Sequence, residues 1–139
     1  MKNKSVFLYY GILHIPDRNI LPCVITINRI DGESDWLDIS IPQAAFKMSY
    51  LYKYPLTKKL NPWLNSVEET FIKLAETIYN DSPFDLAIIG EEVSGDANQE
   101  TVTLDHLESA SFILPIALQK RLKTQEKGKV LSNNLTLFN

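Results

Sequence analysis

The 139-residue chain has one cysteine, Cys23, two histidines, His14 and His106, and five scattered glycines. A single thiol excludes an intramolecular disulfide and any multi-cysteine zinc or iron–sulfur centre. The glycines form neither a phosphate-cradling loop nor a dinucleotide fingerprint, and there is no Gly-x-Ser-x-Gly nucleophile elbow. No apolar run approaches the ~20 residues that span a bilayer. The apolar stretch after the basic start Met1–Lys4 is interrupted by Tyr9, Tyr10, Gly11 and His14 and lacks a small-residue cleavage site, so it reads as a strand and not a secretory leader. A cytoplasmic, membrane-free domain without cofactor is the expectation. Hydrophobic residues make up 45% and charged residues 22% of the chain, the balance of an ordinary globular domain. That length predicts a single domain over residues 1–139.

Charge is scarce in one sign over long stretches. The net charge is only −3, yet nine acids lie between Glu76 and Glu108 while no Lys or Arg occurs from position 74 to 119. Conversely, residues 39–67 carry Lys47, Lys53, Lys58 and Lys59 with no acid, and Lys120, Arg121, Lys123, Lys127 and Lys129 crowd the C-terminal end beside Glu126. Such segregation either decorates separate solvated faces or focuses a negative field able to draw a cationic partner.

The pattern predicts an α+β fold, with strands segregated from helices. Ser5–His14, rich in β-branched and aromatic residues, reads as a strand with both faces at least partly covered. Cys23–Ile30 pairs with it through the Asp17–Asn19 turn, and Trp36–Ile41 follows the Asp31-Gly32 hairpin signal to complete an N-terminal antiparallel meander. Pro42 opens a helix over Gln43–Leu51 with Ala44, Met48 and Leu51 as its apolar stripe, and Pro55 stops it. A second helix begins at Asn61-Pro62 or at the Ser66–Glu69 capping box, buries Leu64, Val67, Phe71, Leu74 and Ile78, pairs Glu69 with Lys73 on its outer side and ends at Asn80–Pro83. Phe84–Gly90 and Glu100–Leu104 read as a second hairpin, and Asp105–Ser109 as a short helical turn. Pro115–Thr124 reads as a helix with Ile116, Leu118 and Leu122 inward, followed by a terminal hairpin turning at Ser132-Asn133-Asn134.

Few residues offer chemistry. Cys23 brought against His14, across the first hairpin, or against His106 would make a nucleophile and base, although a lone Cys in a Val/Ile-rich strand behaves as a small hydrophobe and His14 as a half-buried strand residue. Asp105 and His106 are adjacent, which points them apart. Glu91, Glu92 and Asp96, at a strand end and the Ser94–Asn98 turn, are the best candidates for an acid–base or metal site, joined by His106. Their spacing is not that of a calcium loop, and consecutive Glu residues diverge on a strand. Phe46, Tyr50, Tyr52, Tyr54 and Trp63 interleave with lysines, as in single-strand nucleic-acid binders. The absence of Arg from that segment and the negative net charge favour packing or a protein interface over nucleic acid.

The leading expectation is a non-catalytic protein-binding domain whose acids Asp81, Asp85, Glu91, Glu92, Asp96 and Glu100 engage a basic protein, with Tyr50, Tyr52, Tyr54 and Trp63 as further contact candidates. Immunity proteins and inhibitors of cationic nucleases share this profile of size and charge, by analogy and not by motif. Two alternatives stand: a small enzyme or metal-binding domain using Glu91, Glu92 and Asp96, and a scaffold homodimerising through the aromatic segment or an edge strand.

Overall fold

A computed structural model describes residues 3–91, 93, 97–124 and 127–139. The fold is α+β, and its backbone divides into two compact units, 1–67 and 68–139. The first unit carries eight basic and five acidic side chains, the second six and twelve. The acidic run read from the sequence therefore falls within the second unit, together with the basic block Lys120–Lys129.

The first unit opens with the predicted meander: β1 (Lys4–His14), β2 (Ile20–Ile30) and β3 (Trp36–Ser40) in the order β1-β2-β3, antiparallel throughout. β1 and β2 pair without interruption from Lys4↔Ile30 to His14↔Ile20. Gly32 supplies the positive φ (79°) that the tight turn into β3 requires. Helix α1 (Gln43–Ser49) packs against β2. Leu21 and Cys23 are buried on one face of β2, as are Ala45 and Phe46 of α1.

Two expectations fail here. β1 is not covered on both faces: Val6, Phe7, Leu8, Tyr9, Tyr10 and Ile12 are all exposed, because β1 is the sheet edge and α1 lies over β2 instead. Nor do Ala44, Met48 and Leu51 form the inward stripe of α1. Met48 is 88% and Leu51 80% exposed, while Phe46 turns inward, where its ring meets Trp63. An aromatic ring offers more buried area and a favourable tilted contact than the aliphatic stripe does, and it sets the rotation of so short a helix.

In the second unit α2 (Leu64–Asp81, whose first turn belongs to the first unit) buries Val67 and Ala75, and Ile72 and Tyr79 pack with Ala75. The Glu69–Lys73 ion pair forms as expected, at 3.3 Å. The sheet runs β4 (Ala87–Ile89), β5 (Ser111–Leu114), β7 (Thr136–Phe138) and β6 (Lys129–Val130) in spatial order, all antiparallel. Every residue of β5 and β7 is buried, so these two strands form the spine of the unit. One cluster gathers Phe112, Leu114, Leu118 and Phe138, and another Ala75, Ile113, Leu135 and Leu137.

The antiparallel partner of β4 is β5 and not residues 100–104. Asn98 Oδ1 accepts the backbone N–H groups of Glu100 (2.8 Å) and Thr101 (2.9 Å), which closes a turn and withdraws those donors from any ladder. A capping box between Thr103 and His106 then starts a 3₁₀ turn over Leu104–Glu108. Helix α3 (Ile116–Leu122) follows Pro115 as expected, with Leu118 buried and Leu122 partly so, but Ile116 faces out at 48% exposure. Gln119 fastens α3 to the strands. Its Nε2 donates to Leu114 O (2.7 Å) and Asn134 O (3.1 Å), and its Oε1 accepts from Thr136 Oγ1 (3.1 Å). The terminal hairpin turns through Asn133 and Asn134, both at positive φ.

Gly128 sits where β7 passes closest to the loop before β6. A Cβ there would lie 2.4 Å from Thr136 Cγ2 and 2.6 Å from Leu137 O. Since a backbone carbonyl cannot move aside cheaply, Gly128→Ala should destabilise the protein by about 1–3 kcal/mol. A urea midpoint equal to that of the parent would contradict this close approach.

Candidate functional site

Among the described residues, three groups are candidates for chemistry or binding. The first is the aromatic cluster of the N-terminal unit. Tyr50 stacks on Trp63 with ring centroids 4.3 Å apart and planes 4° from parallel; Phe46 (5.2 Å) and Tyr52 (6.5 Å) meet the same indole at tilted angles. Lys47 Nζ stands 5.5 Å from the Tyr52 ring centroid. Tyr54 lies apart, 82% exposed. The structure thus unites Tyr50, Tyr52 and Trp63, adds Phe46, and leaves Tyr54 outside.

These rings are held by polar contacts. The Tyr50 hydroxyl donates to Asp17 Oδ2 (2.7 Å), Gln43 Nε2 donates to the Tyr52 hydroxyl, and Asp17 Oδ1 accepts the Asn19 amide (2.9 Å). Trp63 Nε1 is buried and has no hydrogen-bond partner among the described residues. With their faces packed on one another, Tyr50 and Trp63 do not offer an open stacking platform.

Asn61, fully buried, organises the segment leading into Trp63. Its Oδ1 accepts Lys53 N–H (2.7 Å) and its Nδ2 donates to Lys53 O (2.8 Å) and Thr57 O (3.2 Å). The sequence marks Asn61 as a helix cap, but its side chain serves the preceding loop instead. The loop's inward-pointing backbone groups would otherwise be unpaired, and the carboxamide supplies two donors and an acceptor from one side chain. The first helical residue is accordingly Leu64.

The second group is the acidic one. Asp81 ends α2, Asp85 follows it, Glu91 leaves β4, and Glu100 lies in the Asn98 turn; all four are exposed. Glu92 and Asp96 fall outside the described residues. Asp85 shares a shallow depression of about 230 Å³ with Gln99, Pro115, Leu118 and Arg121. Arg121 donates to Gln99 O (2.7 Å), which brings one cation into this acidic region. Glu76 is different: it accepts from the Ser132 hydroxyl and amide, and those bonds hold its carboxyl below the usual range.

The third group is the lone thiol and the imidazoles. Cys23 pairs with Gly11 and His14 with Ile20, positions of opposite parity, so their side chains project from opposite faces of the hairpin. Cys23 is buried and His14 is exposed, not half-buried as the sequence suggests. Cys23 and His14 are therefore not assembled as a nucleophile and base. His106 Nδ1 accepts Thr103 N–H (3.0 Å), so this imidazole closes the capping box. No group of three or more metal-ligating side chains converges among the described residues. No helix among them is long and apolar enough to cross a membrane. Comparison with protein-family models, curated proteins and solved structures finds no match.

Two tests follow from the aromatic cluster. Asn61→Ala should cost about 2–3 kcal/mol by leaving Lys53 N–H and its neighbours buried and unpaired, and the Trp63 emission should shift toward that of exposed indole; an unshifted spectrum and midpoint would contradict the clamp. The second concerns titration. Burial, then the hydrogen bond to and charge of Asp17, pushes the Tyr50 hydroxyl well above its ordinary value of 10. Burial alone would raise Asp17, but the Asn19 amide and the Tyr50 hydroxyl together hold it below 3.8. A raised Tyr and a lowered Asp place the contact's stabilising window between those two ordinary values, with loss in acid and in strong alkali. In alkaline absorbance titration Asp17→Asn should move one tyrosine to lower pH, a change absent when Tyr50→Phe is already present.

Proposed function

We propose that this chain is a non-catalytic protein-binding domain of the immunity or inhibitor type that draws a basic protein partner through the carboxylates of residues 68–139. One observation carries the reading: Asp81, Asp85, Glu91 and Glu100 are exposed and form no ion pair among the described residues, in a unit where acids outnumber bases twelve to six. Carboxylates left in solvent without a neutralising partner stabilise the fold little and repel one another. Their net physical effect is an outward negative potential. Such a field accelerates encounter with a cationic surface and penalises acidic competitors, while contributing less to the lifetime of the complex. Glu76, bound to Ser132, belongs to the fold and not to this surface.

The four carboxylates make the reading testable on the partner recovered with the protein. Replacing them together (Asp81→Asn, Asp85→Asn, Glu91→Gln, Glu100→Gln) should slow association about tenfold or more at low salt, with the dissociation rate nearly unchanged. The parent's association rate should fall steeply as salt is raised. Association that is insensitive to both the substitutions and salt would refute the proposal.

A further inference from the structure

The exposed edge of β1 carries an inference independent of the acidic residues. At one end of the β1–β2 ladder Asp31 N–H donates to Asn3 O (3.0 Å), and at the other Ile15 N–H donates to Asn19 O (2.9 Å). Both bonds use odd-numbered residues of the first segment, and both fit the unbroken register between them. In an antiparallel ladder the residues bonded to the neighbour alternate with those whose backbone groups point away. The even-numbered residues Lys4, Val6, Leu8, Tyr10, Ile12 and His14 therefore direct their N–H and C=O groups outward from the sheet.

Native edges are ordinarily guarded against this by inward charges, proline, a bulge or shortness. β1 has eleven residues, no proline, an unbroken register and no Asp, Glu, Lys or Arg after Lys4. We propose that β1 is a self-recognition edge on which a second copy of this chain docks, two β1 strands pairing antiparallel about a two-fold axis at Tyr9.

Three features select a second copy and this register. Only pairing centred on Tyr9 uses all six outward residues, setting Lys4 opposite His14, Val6 opposite Ile12 and Leu8 opposite Tyr10 of the other copy; a shift by two residues strands one end. Lys4 falls opposite His14, so no Lys or Arg of one copy faces another across the seam. Phe7 falls opposite Gly11, the one residue of β1 without a side chain, so a ring covers the gap and Tyr9 meets its own copy across the axis. The available area is also of the right size. Val6 (52%), Phe7 (42%), Leu8 (52%), Tyr9 (52%), Tyr10 (80%) and Ile12 (62%) are exposed. At roughly 150–200 Å² for a large side chain they present on the order of 600 Å², much of the ~800 Å² per partner that stable interfaces cover. The product is a continuous six-stranded sheet, β3-β2-β1 joined to its symmetry copy.

Sedimentation of the full chain over the micromolar range tests this directly. The parent should be a dimer. Tyr9→Lys and Tyr9→Glu, each placing like charges across the axis, should weaken dimerisation at least about tenfold, and an equimolar mixture of the two should recover it as a heterodimer. Circular dichroism reports whether each variant keeps the parent fold. Should either lose it, Leu8→Pro provides the test, because it removes an N–H that β2 does not use and that an edge strand can forgo; it too should weaken the dimer. A monomeric parent, folded variants that dimerise like the parent, or a mixture that fails to recover would each overturn the proposal.

Discussion

The uninterrupted antiparallel register between β1 and β2 is the constraint on which the N-terminal unit depends. Because strand side chains alternate with a period of two, fixing one pair fixes the face of every other residue in both strands. Once Gly11 lies opposite Cys23, Leu13 lies opposite Leu21, and these side chains share the face on which Leu21 and Cys23 are buried. Val6, Leu8, Tyr10 and Ile12 are committed to the other face. The same parity separates Cys23 from His14 and decides which backbone groups of β1 remain unpaired. A shift of the edge strand β1 by one residue would turn Leu13 away from the face of Leu21 and Cys23 and reverse which of its backbone groups point outward, so packing beside this pair and the outward-pointing edge are one structural decision.

Charge imposes a second constraint, of a different range. The carboxylates of the C-terminal unit divide according to whether the fold uses them. Glu76 accepts two bonds from Ser132 and is drawn below the usual carboxylate range, so its charge is tied to a local contact. Asp81, Asp85, Glu91 and Glu100 have no such tether among the described residues, and a charge in solvent acts at the scale of the Debye length, about 8–10 Å at ordinary ionic strength. Arg121 moderates this field near Asp85, yet its hydrogen bond goes to the Gln99 carbonyl and not to a carboxylate. It thereby secures the turn that holds Glu100 while leaving the acids in solvent.

Much of this architecture is legible in the residues, and the failures share a cause. The meander is visible because Asp31-Gly32 and Asp17–Asn19 punctuate β-branched runs, and the terminal turn because Asn133 and Asn134 tolerate positive φ. Pro115 fixes the start of α3. The alternation of Glu100–Leu104 misleads, since the Asn98 side chain and the Thr103–His106 box intercept backbone donors that a strand would need. β5 escapes a period-based search because all four of its residues are buried and it has no polar side to mark. The inward face of α1 is set by Trp63, fourteen residues beyond the end of the helix, a tertiary contact that no local pattern contains. The acidic residues are legible as a run, but the division between tethered Glu76 and the free carboxylates is written only in its contact with Ser132.

The two proposed surfaces would obey opposite physics, and this makes the proposals separable. An exposed carboxylate set gains its influence from unscreened charge, so added salt erodes it. A sheet edge flanked by Val6, Leu8, Tyr10 and Ile12 gains from backbone bonds and removal of apolar area from water, which ordinary salt leaves nearly untouched. Assembly through β1 and attraction of a cationic partner therefore respond differently to one variable. A dimer that persists at an ionic strength where partner association has collapsed assigns the two processes to different parts of the chain.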